Sequence, residues 1–391
     1  MKKLAVSLFM TTCGIANAQT IGHSPYASYS IGDIKHDNSI ETISMGGIST
    51  AYVWDFNNQF NFQNPAANSN LELTSLRFQA TNGNQYLKSH ENKYNKHSTY
   101  VSGLSLAFPI SKKLKFGLKY SPYSSKDYNT TQSINLPDGT SGKQIFSGNG
   151  SVNLVQMAFG YHFTPAFSLG MSSNLFFGKL YDTEETIYDH TTLISNHENK
   201  VNVNNFNFTL GSVYQQRLKN NKKLTFGATY TFGNTSDFES SFVNSTYYLY
   251  NNTKTYQSNI SESNQKTKNI LGKEFSFGIG YGHESRWFIS TQLNYKNRAN
   301  ITTFNKTFDY KDSYRVSVGG WYLPNYNNFR NYFSRVTYRY GAFFEKGNLY
   351  INNTNIDKYG IAFGGSFPFQ KSNINRLSSI DLGIELSLIH I

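Results

Sequence analysis

Leu114-Lys115-Phe116-Gly117-Leu118-Lys119-Tyr120 alternates without a break: Leu, Phe, Leu and Tyr fall on one side, Lys, Gly and Lys on the other. Successive side chains of a strand point to opposite faces, so this stretch offers one apolar face and one polar or small one. About thirteen segments of this kind can be read between Leu71 and Leu386. Each is close to the ~10 residues that a tilted strand needs to cross a bilayer.

The connections between these segments fall into two classes. Short ones lie at Ser111-Lys112-Lys113, Thr164-Pro165-Ala166, Lys219 to Lys223, Gly282 to Arg286, Pro324 to Asn331 and Gln370 to Arg376. Long polar ones, rich in Asn, Ser, Thr, Lys and Tyr, fall between them at about 81–98, 124–148, 181–203, 234–272, 297–312 and 346–358. A soluble sandwich does not order its loop lengths in this way. A barrel in a bacterial outer membrane does, with short turns on the periplasmic side and long loops outside. The expected fold is therefore all-β, an antiparallel transmembrane barrel.

Bulk composition agrees. The chain has 391 residues, a net charge of +12, 16% aromatics and a mean hydropathy of -0.50. No run nears the ~18 apolar residues of a membrane helix, which excludes a helical membrane protein. Strand ends are often aromatic, as at Phe108, Tyr120, Tyr161, Phe163, Tyr230, Phe232, Tyr281, Trp287, Tyr295 and Tyr322, as the two interfacial girdles of a barrel require. The lysine excess is spread over polar connections, so no nucleic-acid partner is expected. Outer-membrane lipid and lipopolysaccharide are the expected surroundings.

Lys2 and Lys3, the apolar run Leu4 to Ile15 and Ala16-Asn17-Ala18 have the layout of a secretory signal peptide cleaved after Ala18. The single cysteine, Cys13, would leave with it, so the mature chain has no disulfide and no thiolate site. Residues 19–70 do not alternate, yet carry Tyr52, Trp54, Phe56, Phe60 and Phe62. That is too apolar for a disordered tail. The segment is expected to plug the interior of the barrel formed by 71–391.

Asn64-Pro65-Ala66-Ala67, standing directly before the first alternating strand, resembles the long-chain fatty-acid transporter (FadL-like) family. Ser24-Pro25-Tyr26, Gly32-Asp33, Met45-Gly46-Gly47 and Tyr340-Gly341-Ala342-Phe343-Phe344-Glu345 are similar to its Bacteroidetes branch. The resemblance implies a 14-stranded barrel with an N-terminal hatch closed by Asn64, Pro65 and Ala66. It also implies passive, cofactor-free uptake of hydrophobic or amphipathic molecules such as long-chain fatty acids. Single-chain bacterial barrels have even strand numbers, so the closing strand is expected to be missing by C-terminal truncation.

Trp54, Phe56, Phe60 and Phe62 could line an apolar conduit through the plug or pack it to the wall. Arg77, Lys115, Lys119, Lys296, Arg335 and Arg339 alternate with outward apolar residues. They could steer anions or form wall–plug ion pairs. Gly278-Ile279-Gly280-Tyr281-Gly282 opens no helix and is no nucleotide loop, and the nine His lack metal spacing. A hydrophobe channel is the leading reading. A FadL-like scaffold of type IX secretion, with secretion-machinery partners, is the alternative, and an outer-membrane esterase a distant third.

Overall fold

A computed structural model describes residues 24–34, 39–54, 59–88, 93–137, 139–251, 253–303, 306–351, 354–369 and 378–390. The signal-peptide expectation, Phe56 and the turn at 370–376 lie outside the described residues.

Strand β1 (Asp33–Ile34) belongs to the N-terminal segment. The wall begins with β2 (Ser75–Lys88), β3 (Lys93–Pro109), β4 (Leu114–Asn135), β5 (Ser141–His162), β6 (Phe167–Tyr188) and β7 (Ile194–Arg217). It continues with β8 (Lys222–Thr231), β9 (Thr235–Tyr250), β10 (Thr253–Ile270), β11 (Glu274–His283) and β12 (Trp287–Lys296). A hairpin of β13 (Ala299–Thr302) and β14 (Thr307–Tyr310) precedes β15 (Ser313–Tyr322) and β16 (Thr337–Lys346). A second small hairpin, β17 (Tyr350–Ile351) and β18 (Thr354–Asn355), leads to β19 (Asp357–Pro368) and β20 (Ser379–His390).

Every wall pairing is antiparallel and joins consecutive passes of the chain. β8 and β9 both pair with β7, and β11 and β10 continue that ladder outward, so β8–β9 and β10–β11 each make a single pass. The described wall thus has thirteen passes. The β19–β20 ladder runs as far as Asp357↔His390. The first and thirteenth passes run in the same direction, and no backbone ladder joins them among the described residues. Side chains meet there instead: Arg77 of β2 lies 3.0 Å from Asp381 of β20.

The short turns are built as their residues dictate. Ser111 Oγ accepts from Leu114 N at 3.0 Å and Thr164 Oγ1 from Phe167 N at 3.0 Å, side-chain turns that replace missing ladder bonds. The long connections differ from the expectation, because most of their length is strand. β4 runs on to Asn135 and β5 resumes at Ser141, while 234–272 is largely the β9–β10 hairpin. Above the lipid both faces of a strand are wet, so the apolar period disappears from the sequence. The ladder needs only backbone groups, and Thr, Tyr and Val still favour it.

The outward face is the lipid face. Phe167, Leu169, Met171, Leu175 and Phe177 on β6 are exposed, while Ser168, Ser172 and Asn174 between them are buried. Aromatic rows cross the wall at two heights. Tyr230, Phe275, Tyr295 and Tyr314 are successive cross-strand partners in one, and Trp287, Tyr322 and Tyr338 in the other. Tyr314 and Tyr322 are eight residues apart on one strand, about 26 Å of chain at ~3.3 Å per residue. Barrel tilt reduces that to roughly 20 Å, the order of the apolar band of an outer-membrane barrel. Ile279 lies between the rows on the lipid face. Ile279→Arg is expected to cost about 2–4 kcal/mol of folding stability in lipid, measured by urea titration in vesicles.

Candidate functional site

The N-terminal segment lies against the face of the wall that turns away from lipid. Its course is set by short polar caps and by glycines that let two backbones meet. Ser39 caps the Ile40–Ile43 turn through Thr42 N. Gly46 and Gly47 follow at φ +71 and +93, a left-handed conformation that glycine adopts without strain. Arg315 Nη2 donates to Gly46 O at 3.2 Å, and Gln292 Oε1 accepts from Ser49 N and Thr50 N at 2.8 Å each.

The hatch motif is cross-linked in both directions. Asn64 caps the Pro65–Asn68 turn by accepting from Ala66 N at 3.1 Å. Its amide donates to Thr50 O at 2.6 Å within the plug and to Ser212 O at 3.2 Å on β7. The wall answers with Gly160, Gly170 and Gly211, which are direct cross-strand partners on β5, β6 and β7. A Cβ at these positions would strike Pro65 O, the Pro65–Ala66 peptide and Asn64 Oδ1 respectively.

The plug aromatics separate. Trp54 packs with Tyr52, Phe288 and Trp321 in one buried cluster, while Phe60 and Phe62 join Leu71, Ala107 and Ala158 in another. They seat the segment on the wall at two places and do not line one path.

The basic residues separate too, each finding its own partners. Arg77 pairs with Glu41 of the plug as well as with Asp381. Arg339 Nη1 donates to Ser366 Oγ at 2.6 Å and lies 3.8 Å from Asp381. Lys115 Nζ donates to Ser111 O at 3.4 Å, Lys119 lies 5.7 Å from the Phe62 ring centre, and Lys296 pairs with Glu274 at 2.5 Å. Arg335 does not share a strand face with Arg339. It ends the helical turn Tyr332–Arg335 before β16 and stacks on Phe329 at 4.9 Å. At the short-turn side, Lys223 hydrogen-bonds Glu284 at 2.8 Å and holds that carboxyl below the usual carboxylate range.

Above the plug lies a buried apolar cluster, here called the chamber, that the sequence reading missed. Val152, Leu180, Val201, Val203 and Phe238 project from β5, β6, β7 and β9 on the face of the hatch glycines. The β13–β14 hairpin folds over them with Ile301, Phe308 and Tyr310. Asn269, fully buried, anchors the hairpin by accepting from Thr302 N at 2.6 Å. Ile31 of the N-terminal segment belongs to this cluster. Its N–H donates to Tyr310 Oη at 2.9 Å, and its carbonyl accepts from Ser124 Oγ at 3.0 Å. Gly32, at φ +103, then turns the chain so that β1 pairs with Ser124 and Ser125.

A charged trio borders the chamber. Lys126 Nζ lies 2.7 Å from Asp182, with 2% and 6% of the two side chains exposed. Tyr128 Oη donates to the same carboxylate at 2.7 Å, and Lys126 lies 5.5 Å from the Phe308 ring centre. A detectable signal existed: Val201 and Val203 keep the period of their strand inside a stretch assigned to a loop, and Val152 and Leu180 lie just beside such stretches.

Comparison with known proteins agrees with this architecture. The family model BamG matches residues 1–388. A Pseudomonas aeruginosa FadL homologue superposes with a TM-score of 0.62 at 12% identity, covering 92% of this chain and 91% of its own. The Pseudomonas putida toluene transporter TodX gives 0.56 at 15% identity, with coverages of 90% and 92%. A deletion mutant of TodX, described as a monoaromatic hydrocarbon channel, gives 0.58 at 16%, with 89% and 92%. No curated protein matches the sequence. At these identities the structural likeness carries the fold: an N-terminally plugged outer-membrane barrel of the FadL type.

Proposed function

We propose, for a chain that belongs to the BamG family, that it conducts hydrophobic or amphipathic small molecules into the outer membrane by diffusion, without a bond-making step or a cofactor. One observation carries this reading: a buried apolar cluster stands on the inner face of a wall whose other face already meets lipid, and Ile31 of the N-terminal segment is part of it. Apolar side chains on an inner barrel face gain nothing from the bilayer. Their burial under the N-terminal segment stabilises at about 25 cal/mol per Å², and a hydrophobe that displaces Ile31 recovers the same term.

The names of the structural relatives, a FadL homologue and a toluene transporter, point the same way. Outer-membrane lipid and lipopolysaccharide contact the exposed strand faces, after removal of residues 1–18. Val203→Asp puts an uncompensated carboxylate among Val201, Phe238 and Ile31. It is expected to cut hydrophobe binding at least about tenfold, while the barrel still inserts and migrates as a heat-modifiable band. Unchanged uptake of a labelled hydrophobe by cells carrying this variant would remove the chamber from the route.

One observation favours a second reading, a scaffold for secretion-machinery proteins. The plug and chamber are tightly packed, and the basic residues of the interior are held by carboxylates, backbone or rings. Deletion separates the two: lost secretion with intact uptake supports the scaffold, and the reverse supports the channel.

A further inference from the structure

We infer that the chamber selects uncharged amphiphiles whose head group donates a hydrogen bond, such as alcohols and primary amides, and discriminates against carboxylates. The inference rests on the channel reading and deepens it.

The first argument concerns charge. Two lysines beside the chamber are ion-paired, and neither is available to an anion. Lys126 is held by Asp182, which Tyr128 also contacts, and Lys296 is held by Glu274. Each of these two cations meets one carboxylate, and the further lysine that acts on Lys126, Lys306 of the covering hairpin, is exposed to solvent. A carboxylate entering here would have to leave water and displace an existing buried partner, two costs with no new charge to offset them.

The second argument concerns hydrogen bonds. Asn199 shares its strand face with Val201 and Val203, and it is 6% exposed. Its Nδ2 donates to Thr303 Oγ1 at 3.4 Å, at the tip of the covering hairpin. Its Oδ1 is buried with no partner among the described residues. Ser240, the cross-strand partner of Val201, is 2% exposed, and its Oγ is likewise unpartnered. A buried acceptor left unmade is costly, and a carboxylate cannot fill it because it has no proton to give. A hydroxyl or amide N–H can, with its alkyl chain among Val201, Val203 and Phe238. Asn199 Oδ1 therefore reads the head group, Ser240 Oγ can close a bond as donor or acceptor, and the Lys126–Asp182 pair withholds its cation from an anion.

The test uses four twelve-carbon probes of matched length: 1-dodecanol, dodecanamide, dodecane and dodecanoate. Binding to the full-length protein in detergent at pH 8 is read by displacement of a fluorescent apolar reporter. Dodecanol and dodecanamide are expected to bind about tenfold more tightly than dodecane, one good hydrogen bond's worth, and dodecanoate more weakly than dodecane. Asn199→Ala with Ser240→Ala should bring dodecanol down to dodecane, leaving dodecane unchanged. Asp182→Asn frees the Lys126 charge and should reverse the order, with dodecanoate now raising the melting temperature of the variant.

The wild-type series decides the matter even where a variant fails to fold. Dodecanoate binding as well as dodecanol, with dodecane also bound, overturns this inference alone. Failure of all four probes overturns it together with the channel reading.

Discussion

Asp182→Leu alone is expected to destabilise the protein by about 3–5 kcal/mol, and Lys126→Met combined with Asp182→Leu to restore most of that loss. The single change leaves an ammonium group, 2% exposed, facing Phe308 with no counter-charge. It also strips the Tyr128 hydroxyl of its acceptor, adding the cost of an unmade buried hydrogen bond. The double change removes both charges and leaves apolar volume beside Phe308, where the surroundings can use it. Urea midpoints in lipid vesicles, read as the loss of the folded band on unheated gels, measure both. A single variant within about 1 kcal/mol of the parent would mean that water reaches Lys126 and that the rim is wet. Recovery in the double variant also separates stability from selectivity. With both charges gone a carboxylate still finds no free cation, so the double variant should fold well and still reject dodecanoate.

The wall was legible in the sequence wherever one strand face meets lipid and the other does not. Leu114 to Tyr120, Phe167 to Phe177 and Phe275 to Tyr281 alternate because their two faces have different solvents, and those stretches gave the number of passes. Legibility stopped where the solvents became equal. From Tyr123 to Asn135 and from Asp182 to Tyr188 both faces carry Ser, Thr, Asp, Asn or Tyr, and the strand continues on backbone pairing alone. The chamber was lost with those stretches, because Val152, Leu180, Val201 and Val203 lie at their margins and were not counted as a lining. Arg335 went astray for a related reason. Its spacing of two from Thr337 and four from Arg339 mimics a strand face, but Asn331 caps a helical turn over it through Phe333 N. The plug aromatics showed that 19–70 must be buried, yet no periodicity in a non-repeating segment says which ring meets which wall strand. That information resides in the wall glycines, Gly160, Gly170 and Gly211, whose purpose appears only in register.

Gly170→Val is expected to lift the hatch motif from the wall and leave the barrel standing. Gly170 is the centre of the three-glycine row, with Gly160 on one side and Gly211 on the other. A Cβ there meets the Pro65–Ala66 peptide, which is backbone and cannot swing aside as a side chain could. Overpacking of this kind costs about 1–3 kcal/mol, and valine brings two further methyl groups beyond the Cβ. The wall has little reason to yield, because β5, β6 and β7 are joined by ladders of some twenty residues. The plug is tied to the wall at this point by the Asn64 bond to Ser212 O, with a second Asn64 bond to Thr50 O inside the plug, each worth roughly 1 kcal/mol. The weaker side moves. Ala66→Cys, in a folded region without other cysteines, reports the movement as faster labelling by a water-soluble maleimide, and planar-bilayer recordings report it as new open conductance. Leu169→Val, one residue away on the lipid face, is the control for the substitution itself. Asn64→Ala should give the same two signals by removing the links from the other side. Gly170→Val combined with Asn64→Ala should add little, since both release one contact. Labelling and conductance unchanged in Gly170→Val would mean that the wall bends and the hatch stays put. The glycine row would then be a consequence of tight strand packing and not the seat of the plug.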